Sequence, residues 1–305
     1  MPAAAPKALD SSIVLTPHHC TYRSQALLVF NNKIKELPTT LPPNLTELNL
    51  FNNQLKTLPS SIGELANLEE VNVAGNRLMM TTNAMFASWS RVSVLNLYDN
   101  NLVRFGSLAP LKALQELRLG ENNLEEMPTL GTHPELKILE VHKNRIATIP
   151  DGYFNATPAL ERLSLWGNTL TELPSSVCGC GALLGLQVQE NKLSWLPAGA
   201  AWPAKLETLF LQHNPLTTLP GELHACKALK RVNVAQTKLG DAGITIAEGC
   251  VALTPHNAPV FPVGLPLTLG HEMLRSWLAR RMKTTCIRAQ GGIFWDPAGV
   301  QTKAP

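Results

Sequence analysis

The chain has 305 residues, 45% of them hydrophobic and 16% charged. That is ample apolar material for a core, and it excludes wholesale disorder. A net charge of +3 is too small to argue for nucleic acid, and no run of about 18 uncharged apolar residues is present to cross a bilayer. Leucine is the anomaly, with 50 copies against 17 aromatic residues.

In chain order, residues 1–23 are expected to form an N-terminal cap or flexible arm, with Ile13, Val14 and Leu15 covering the first layer of core. The segment shows no continuous apolar run of signal-peptide type and no glycine at position 2. His18, His19 and Cys20 place three metal-binding side chains together, but adjacent residues seldom converge on one ion. No second pair stands at zinc spacing, so no metal is expected.

From residue 24 to about 250 one pattern returns: L-x-x-L-x-L-x-x-N-x-L-x-x-L-P. Its asparagine falls at Asn32, Asn53, Asn76, Asn100, Asn122, Asn144, Asn168, Asn191 and Asn214, and Thr237 takes the place in a tenth copy. The mean spacing is 22.75 residues. In L-x-L the two leucines share one face of a short strand and the residue between them faces the other way. One repeat cannot bury its leucines alone, so copies must stack, with parallel strands about 4.8 Å apart. The asparagine carboxamide can donate to and accept from backbone groups that the turn would otherwise bury unpaired.

The pattern resembles the leucine-rich-repeat superfamily, and the L-P-x-x-I-x-x-L tail of the Leu45–Leu65 copy is similar to the intracellular Ras-suppressor-like subclass. The resemblance implies an α/β fold: a right-handed horseshoe solenoid of about ten repeats with a parallel sheet on the concave face. Short turns or 3-10 segments would line the convex face. It also implies scaffold and regulatory binding rather than catalysis. Three copies depart from the pattern: Met79, Met80, Phe86 and Trp89 replace the regular tail of the third, the sixth reads Ile149-Pro150-Asp151-Gly152-Tyr153-Phe154, and the tenth Leu239-Gly240-Asp241-Ala242-Gly243.

Six scattered cysteines do not make a disulfide framework and indicate a reducing compartment. Cys180 and Cys226 fall on core positions of the convex side, Cys178 is expected to face outward, and a Cys226–Cys250 bridge is the minority alternative to six free thiols. Two sequons occur, at Asn44 and Asn155. Residues 251–305 are expected to form a C-terminal cap: an irregular proline-rich loop over 254–268, a basic amphipathic helix over 270–284, and a tail. Arg275, Arg280, Arg281 and Lys283 give that helix a secondary docking face for an acidic partner.

Phosphate-loop, nucleophile-elbow and zinc-helix motifs are absent, so no enzyme activity, small-molecule substrate or cofactor is expected. What remains is the concave face. Phe51, Tyr98, Arg118, Glu140, His142, Trp166, Gln189, Phe210 and Gln212 are its candidate partner-binding residues, with Phe, Tyr and Trp as exposed anchors. The first expectation is therefore a soluble cytoplasmic adaptor that holds a protein partner on this face. The alternative is an architectural subunit of a ciliary, cytoskeletal or ribonucleoprotein assembly, docked through its caps, with nucleic acid met only inside such a complex. Neither reading calls for a membrane.

Overall fold

The computed structural model describes residues 25–239 throughout, and beyond them two short strands at 251–253 and 259–260. The chain divides into two units, 1–263 and 264–305, and only the first contains described residues. The N-terminal cover, Cys20, Cys250, Cys286 and the basic helix therefore lie outside them.

Ten three-residue strands follow the repeat: β1 (Ala26–Leu28), β2 (Glu47–Asn49), β3 (Glu70–Asn72), β4 (Val94–Asn96), β5 (Glu116–Arg118), β6 (Ile138–Glu140), β7 (Arg162–Ser164), β8 (Gly185–Gln187), β9 (Thr208–Phe210) and β10 (Arg231–Asn233). They pair in chain order, all parallel, in one sheet. The register aligns the central leucines and valines: Leu27, Leu48, Val71, Leu95 and onward to Val232. The sheet runs on where the sequence suggested an end and then a loop. β11 (Val251–Leu253) pairs parallel with β10, and β12 (Pro259–Val260) pairs antiparallel with β11. Backbone ladder bonds need no leucine or asparagine signature, which is why the pattern gave no sign of them.

Behind the sheet, one continuous core extends from Leu27 to Leu239. The convex side is closed by 3-10 turns at Ser60–Glu64, Asn83–Phe86, Tyr153–Ala156, Ser175–Gly179 and Gly221–Ala225. The irregular third repeat keeps its core by other means. Phe86 and Trp89 are buried with ring centroids 5.4 Å apart, and Trp89 Nε1 donates to the Ile62 carbonyl at 2.9 Å. Met79 and Met80 stay at the surface, 62% and 50% exposed.

The asparagines form the ladder the pattern implied. Asn122 Nδ2 donates to the carbonyls of Leu97, Leu119 and Gly120 at 3.0, 3.0 and 3.2 Å, and its Oδ1 accepts from the Leu102 N–H at 2.9 Å. Asn53, Asn76, Asn100, Asn144, Asn168 and Asn191 repeat the arrangement. At the tenth copy the Thr237 hydroxyl donates to the Val234 carbonyl at 2.8 Å. The residue just before each of these ten positions lies in the left-handed region. Asn31, Asn52, Asp99, Glu121, Lys143, Glu190, His213 and Gln236 have φ between 50° and 57°, joined by Gly75 and Gly167.

Cys180 and Cys226 are buried as the frame required. Cys178 is a correction: it is buried too, 6% exposed, because successive residues of a 3-10 turn do not alternate in and out as strand residues do. All three are free thiols.

Candidate functional site on the concave sheet

Each strand turns its first and third residues to the concave side, and the second residue after the strand continues that face. The third-residue column is Leu28, Asn49, Asn72, Asn96, Arg118, Glu140, Ser164, Gln187, Phe210 and Asn233, in register. The next column out holds Phe51, Tyr98, His142, Trp166, Gln189 and Gln212, interrupted by Ala74 and Gly120.

Only Phe51 of the aromatic anchors is exposed, at 40%; Tyr98, Trp166 and Phe210 are half-buried. The reason is lateral packing. A Cβ on Gly120 would lie 2.5 Å from the His142 ring, so the ring leans into the space that glycine leaves on the neighbouring rung. There His142 stacks on Trp166, with centroids 5.0 Å apart and planes within 6°, and meets Tyr98 at 5.9 Å. Lys143 Nζ lies 5.0 Å from the Trp166 centroid and donates to Glu121 Oε1 at 2.6 Å. Three rings thus make one continuous strip across β4 to β7.

Charges in this strip are mostly settled internally. Arg118 Nη2 donates to Glu116 at 2.8 Å, and its Nε lies 3.7 Å from Glu140. Burial pushes the Glu140 carboxyl up, against the pull of Arg118. Glu121 is carried below its usual value: burial opposes ionisation, but hydrogen bonds from Lys143 and the Tyr98 hydroxyl outweigh it. Asp99 goes up, through burial first and the neighbouring Glu121 second. Burial holds His142 neutral down to about 4, with Glu121 working against the shift and Lys143 adding to it. Its Nδ1 lies 3.4 Å from the Ser164 hydroxyl, which also meets Gln187 Oε1 at 3.2 Å.

The face therefore brings Tyr98, His142 and Trp166 together, and sets Arg118 with Glu140 in the adjacent column. Phe51 stands apart, three rungs toward the N-terminus of His142's neighbour Gly120. Gln189 and Gln212 continue the column toward the C-terminus; each is half-buried, with a buried Oε1 that has no hydrogen-bond partner among the described residues. Phe210 lies in the third-residue column beside Gln187. Two contributions lie on the face read from the sequence but outside its candidate partner-binding residues. Glu121 and Lys143 sit on the left-handed turn, and five of those ten turn positions being Asn, Asp or Gly was the available signal. The other is Asn49, Asn72, Asn96 and Asn233, whose Oδ1 atoms accept from the N–H two residues on, at 3.0–3.2 Å.

Little else offers chemistry. A convex groove of about 410 Å³ is lined by small side chains such as Gly152, Ser176, Cys178 and Gly179, and burial raises the Cys178 thiol to about 11. No cluster of metal-binding side chains occurs among the described residues, and no helix there is long and apolar enough to cross a membrane.

Comparison with known proteins agrees with this geometry. Leucine-rich-repeat family models match residues 66–124 and 134–193, 43–82, and 205–226, together more than half of the chain. Keratocan of Gallus gallus is 28% identical over 177 residues, covering 56% of this chain and 43% of its own. Osteomodulin of Bos taurus is 30% identical over 164 residues, covering 53% and 34%. The chain thus spans less than half the length of these relatives. A solved leucine-rich-repeat protein of Leptospira interrogans superposes with a TM-score of 0.50 at 26% identity, covering 72% of this chain and 68% of that one. A chain from an octameric complex of Latrophilin 3, Unc5D and FLRT2 gives 0.55 at 23% identity, covering 71% and 74%, a likeness of fold. By repeat register, asparagine ladder, parallel sheet and family models alike, the chain belongs to the leucine-rich-repeat superfamily.

Proposed function

We propose that the protein is a non-enzymatic binding module whose partner, another protein, lies across the middle of the concave sheet. The observation that carries this reading is the strip Tyr98–His142–Trp166, built on four consecutive rungs around the gap at Gly120. Aromatic side chains held in one arrangement before binding lose little entropy on contact, and Trp and Arg are the residue types most enriched among interface hot spots. Arg118, already fixed by Glu116 and Glu140, offers a planar polar group beside the strip.

The test is capture of a partner by the purified full chain, followed by affinity measurements on variants. Trp166→Ala should weaken binding by roughly 30-fold, about 2 kcal/mol. An affinity unchanged by Trp166→Ala, Tyr98→Ala and Arg118→Ala together would end the reading.

The scaffold or adaptor role, the Ras-suppressor-like subclass and a cytoplasmic location belong to the same proposal. Their support is the L-P-x-x-I tail and the three free, buried thiols of Cys178, Cys180 and Cys226. Asn44 and Asn155 are both exposed sequon asparagines, so a glycosidase-sensitive mass shift on the native protein would overturn the compartment assignment. The architectural alternative rests on Arg275, Arg280, Arg281 and Lys283, outside the described residues, and no described feature favours it.

A further inference from the structure

The concave face is not uniform, and its first three rungs differ in kind from the strip. Leu28 is 45% exposed and Phe51 40%, on adjacent rungs of a sheet whose inner face is fully packed. Beside them Glu47 and Glu70 are direct register partners on β2 and β3. Two carboxylates on neighbouring parallel strands stand about 5 Å apart at the backbone and repel each other. In the strip, by contrast, Glu116, Glu121 and Glu140 each face Arg118 or Lys143. Among the described residues no ion pair engages Glu47 or Glu70. No Lys, Arg or His occupies a concave position on β1 to β4.

The surface between these groups is fixed in advance. Asn49 and Asn72 hold their carboxamides against the N–H groups of Phe51 and Ala74, at 3.2 and 3.1 Å. Asn52 Nδ2 donates to Asn31 Oδ1 at 2.9 Å along the adjoining turns. An exposed apolar pair on a rigid sheet gains by being covered, and the uncompensated carboxylates next to it decide the charge of what covers it. A cation set between Glu47 and Glu70 relieves their repulsion, and apolar cover over Leu28 and Phe51 strengthens that attraction by removing water.

Resting on the concave-face reading above, we infer that the first three rungs are a docking site for a protein segment in which basic and large apolar side chains alternate. Its cations would sit at Glu47 and Glu70 and its apolar side chains on Leu28 and Phe51. A small inorganic cation would leave the apolar pair uncovered, and an acidic segment would add to the repulsion.

The experiment titrates the full chain with the hexapeptide Ac-Lys-Leu-Lys-Phe-Lys-Leu-NH2 and follows backbone amide shifts by NMR. The acidic counterpart Ac-Glu-Leu-Glu-Phe-Glu-Leu-NH2 is the control. The basic peptide should move the amides of Leu28, Asn49, Phe51 and Asn72 saturably, and the acidic one should not. Glu47→Gln with Glu70→Gln should weaken the basic peptide at least ten-fold, and Phe51→Ser at least five-fold, with thermal unfolding unchanged for the Gln pair. Trp166→Ala should change its affinity less than two-fold. No binding, equal binding of both peptides, shifts confined to β5–β7, or indifference to the Gln pair would each overturn the inference. A Phe51→Ser variant that turns a dimeric chain monomeric would assign the patch to a second copy instead. A captured protein partner lost on Trp166→Ala but indifferent to the Gln pair would overturn this inference alone, and one indifferent to both sets would overturn both readings.

Discussion

The same ten strands end in two contrasting columns. On the inner side of the turn the ladder repeats one residue from Asn53 to Asn214, with the same carbonyl bonds from rung to rung. On the concave side the outer column repeats a side chain on adjacent rungs at Phe30 and Phe51 and again at Gln189 and Gln212, and varies everywhere between. The difference lies in what each position must satisfy. Each inner turn buries the same unpaired backbone groups, so each rung inside the stack needs the same carboxamide, and only the tenth makes do with a hydroxyl. The concave side faces water, which accepts any polar group, so the fold leaves it free to vary.

The contrast breaks most plainly at Asn122. Asn122→Ala leaves the Leu102 N–H and buried carbonyls of Leu97 and Leu119 without their partner, and should cost about 3 kcal/mol in urea unfolding. A loss no larger than that of a concave-face substitution would show that the ladder does not carry the fold. Gly120→Ala comes next. The new methyl would displace the His142 ring and its stack on Trp166, for an expected loss of about 2 kcal/mol. An unchanged unfolding midpoint would mean that the strip is not packed as described.

Acid sharpens the comparison from another side. His142 is held neutral to about 4, and His133, fully buried, is also shifted down by burial. Below pH 6.5 the unfolded chain takes up protons that the folded chain refuses, so the stability these groups contribute is full above 6.5 and drains as pH falls toward 4.5. Asp99 and Glu140, shifted up by burial, act in the opposite sense, so the measurement compares wild type with His142→Gln. Wild type should lose about 1–2 kcal/mol more than the variant between pH 7.5 and 4.5, after allowance for solvent screening of a part-exposed ring. Parallel losses would contradict the buried, neutral state of His142.

Trp166→Ala should do less to stability, about 1 kcal/mol, through the lost stack and Lys143 contact. Smallest of all is Asn101→Ala. Asn101 adjoins the ladder but is exposed, and its thermal unfolding should stay within about 0.5 kcal/mol of wild type. A larger effect would blur the distinction between ladder and surface.

Fold and register were legible because leucine and asparagine recur at the same positions on nearly all rungs, as at Leu48 and Asn53 or Leu117 and Asn122. The concave columns were legible for the same reason, since period-two alternation follows from the strand alone. What escaped depended on contacts between rungs. The lean of His142 over Gly120 needs a missing Cβ one repeat away, and the burial of Cys178 needs the geometry of a turn. β11 and β12 lie past the last copy of the pattern and are held by backbone pairing, to which side-chain spacing is blind.

The left-handed residue before each ladder position has a further consequence. Outside glycine, that conformation costs about 1–2 kcal/mol per residue, and somewhat less for Asn or Asp. Eight of ten rungs keep a side chain there regardless, among them Glu121, Lys143, Glu190 and His213. Replacing any one by glycine would ease its backbone, so these side chains are carried at the expense of the fold. They stand in file along one rim of the sheet, where the same backbone turn recurs whether the residue is Asn, Glu, Lys or His. That rim can change charge by charge while the backbone beneath it holds still.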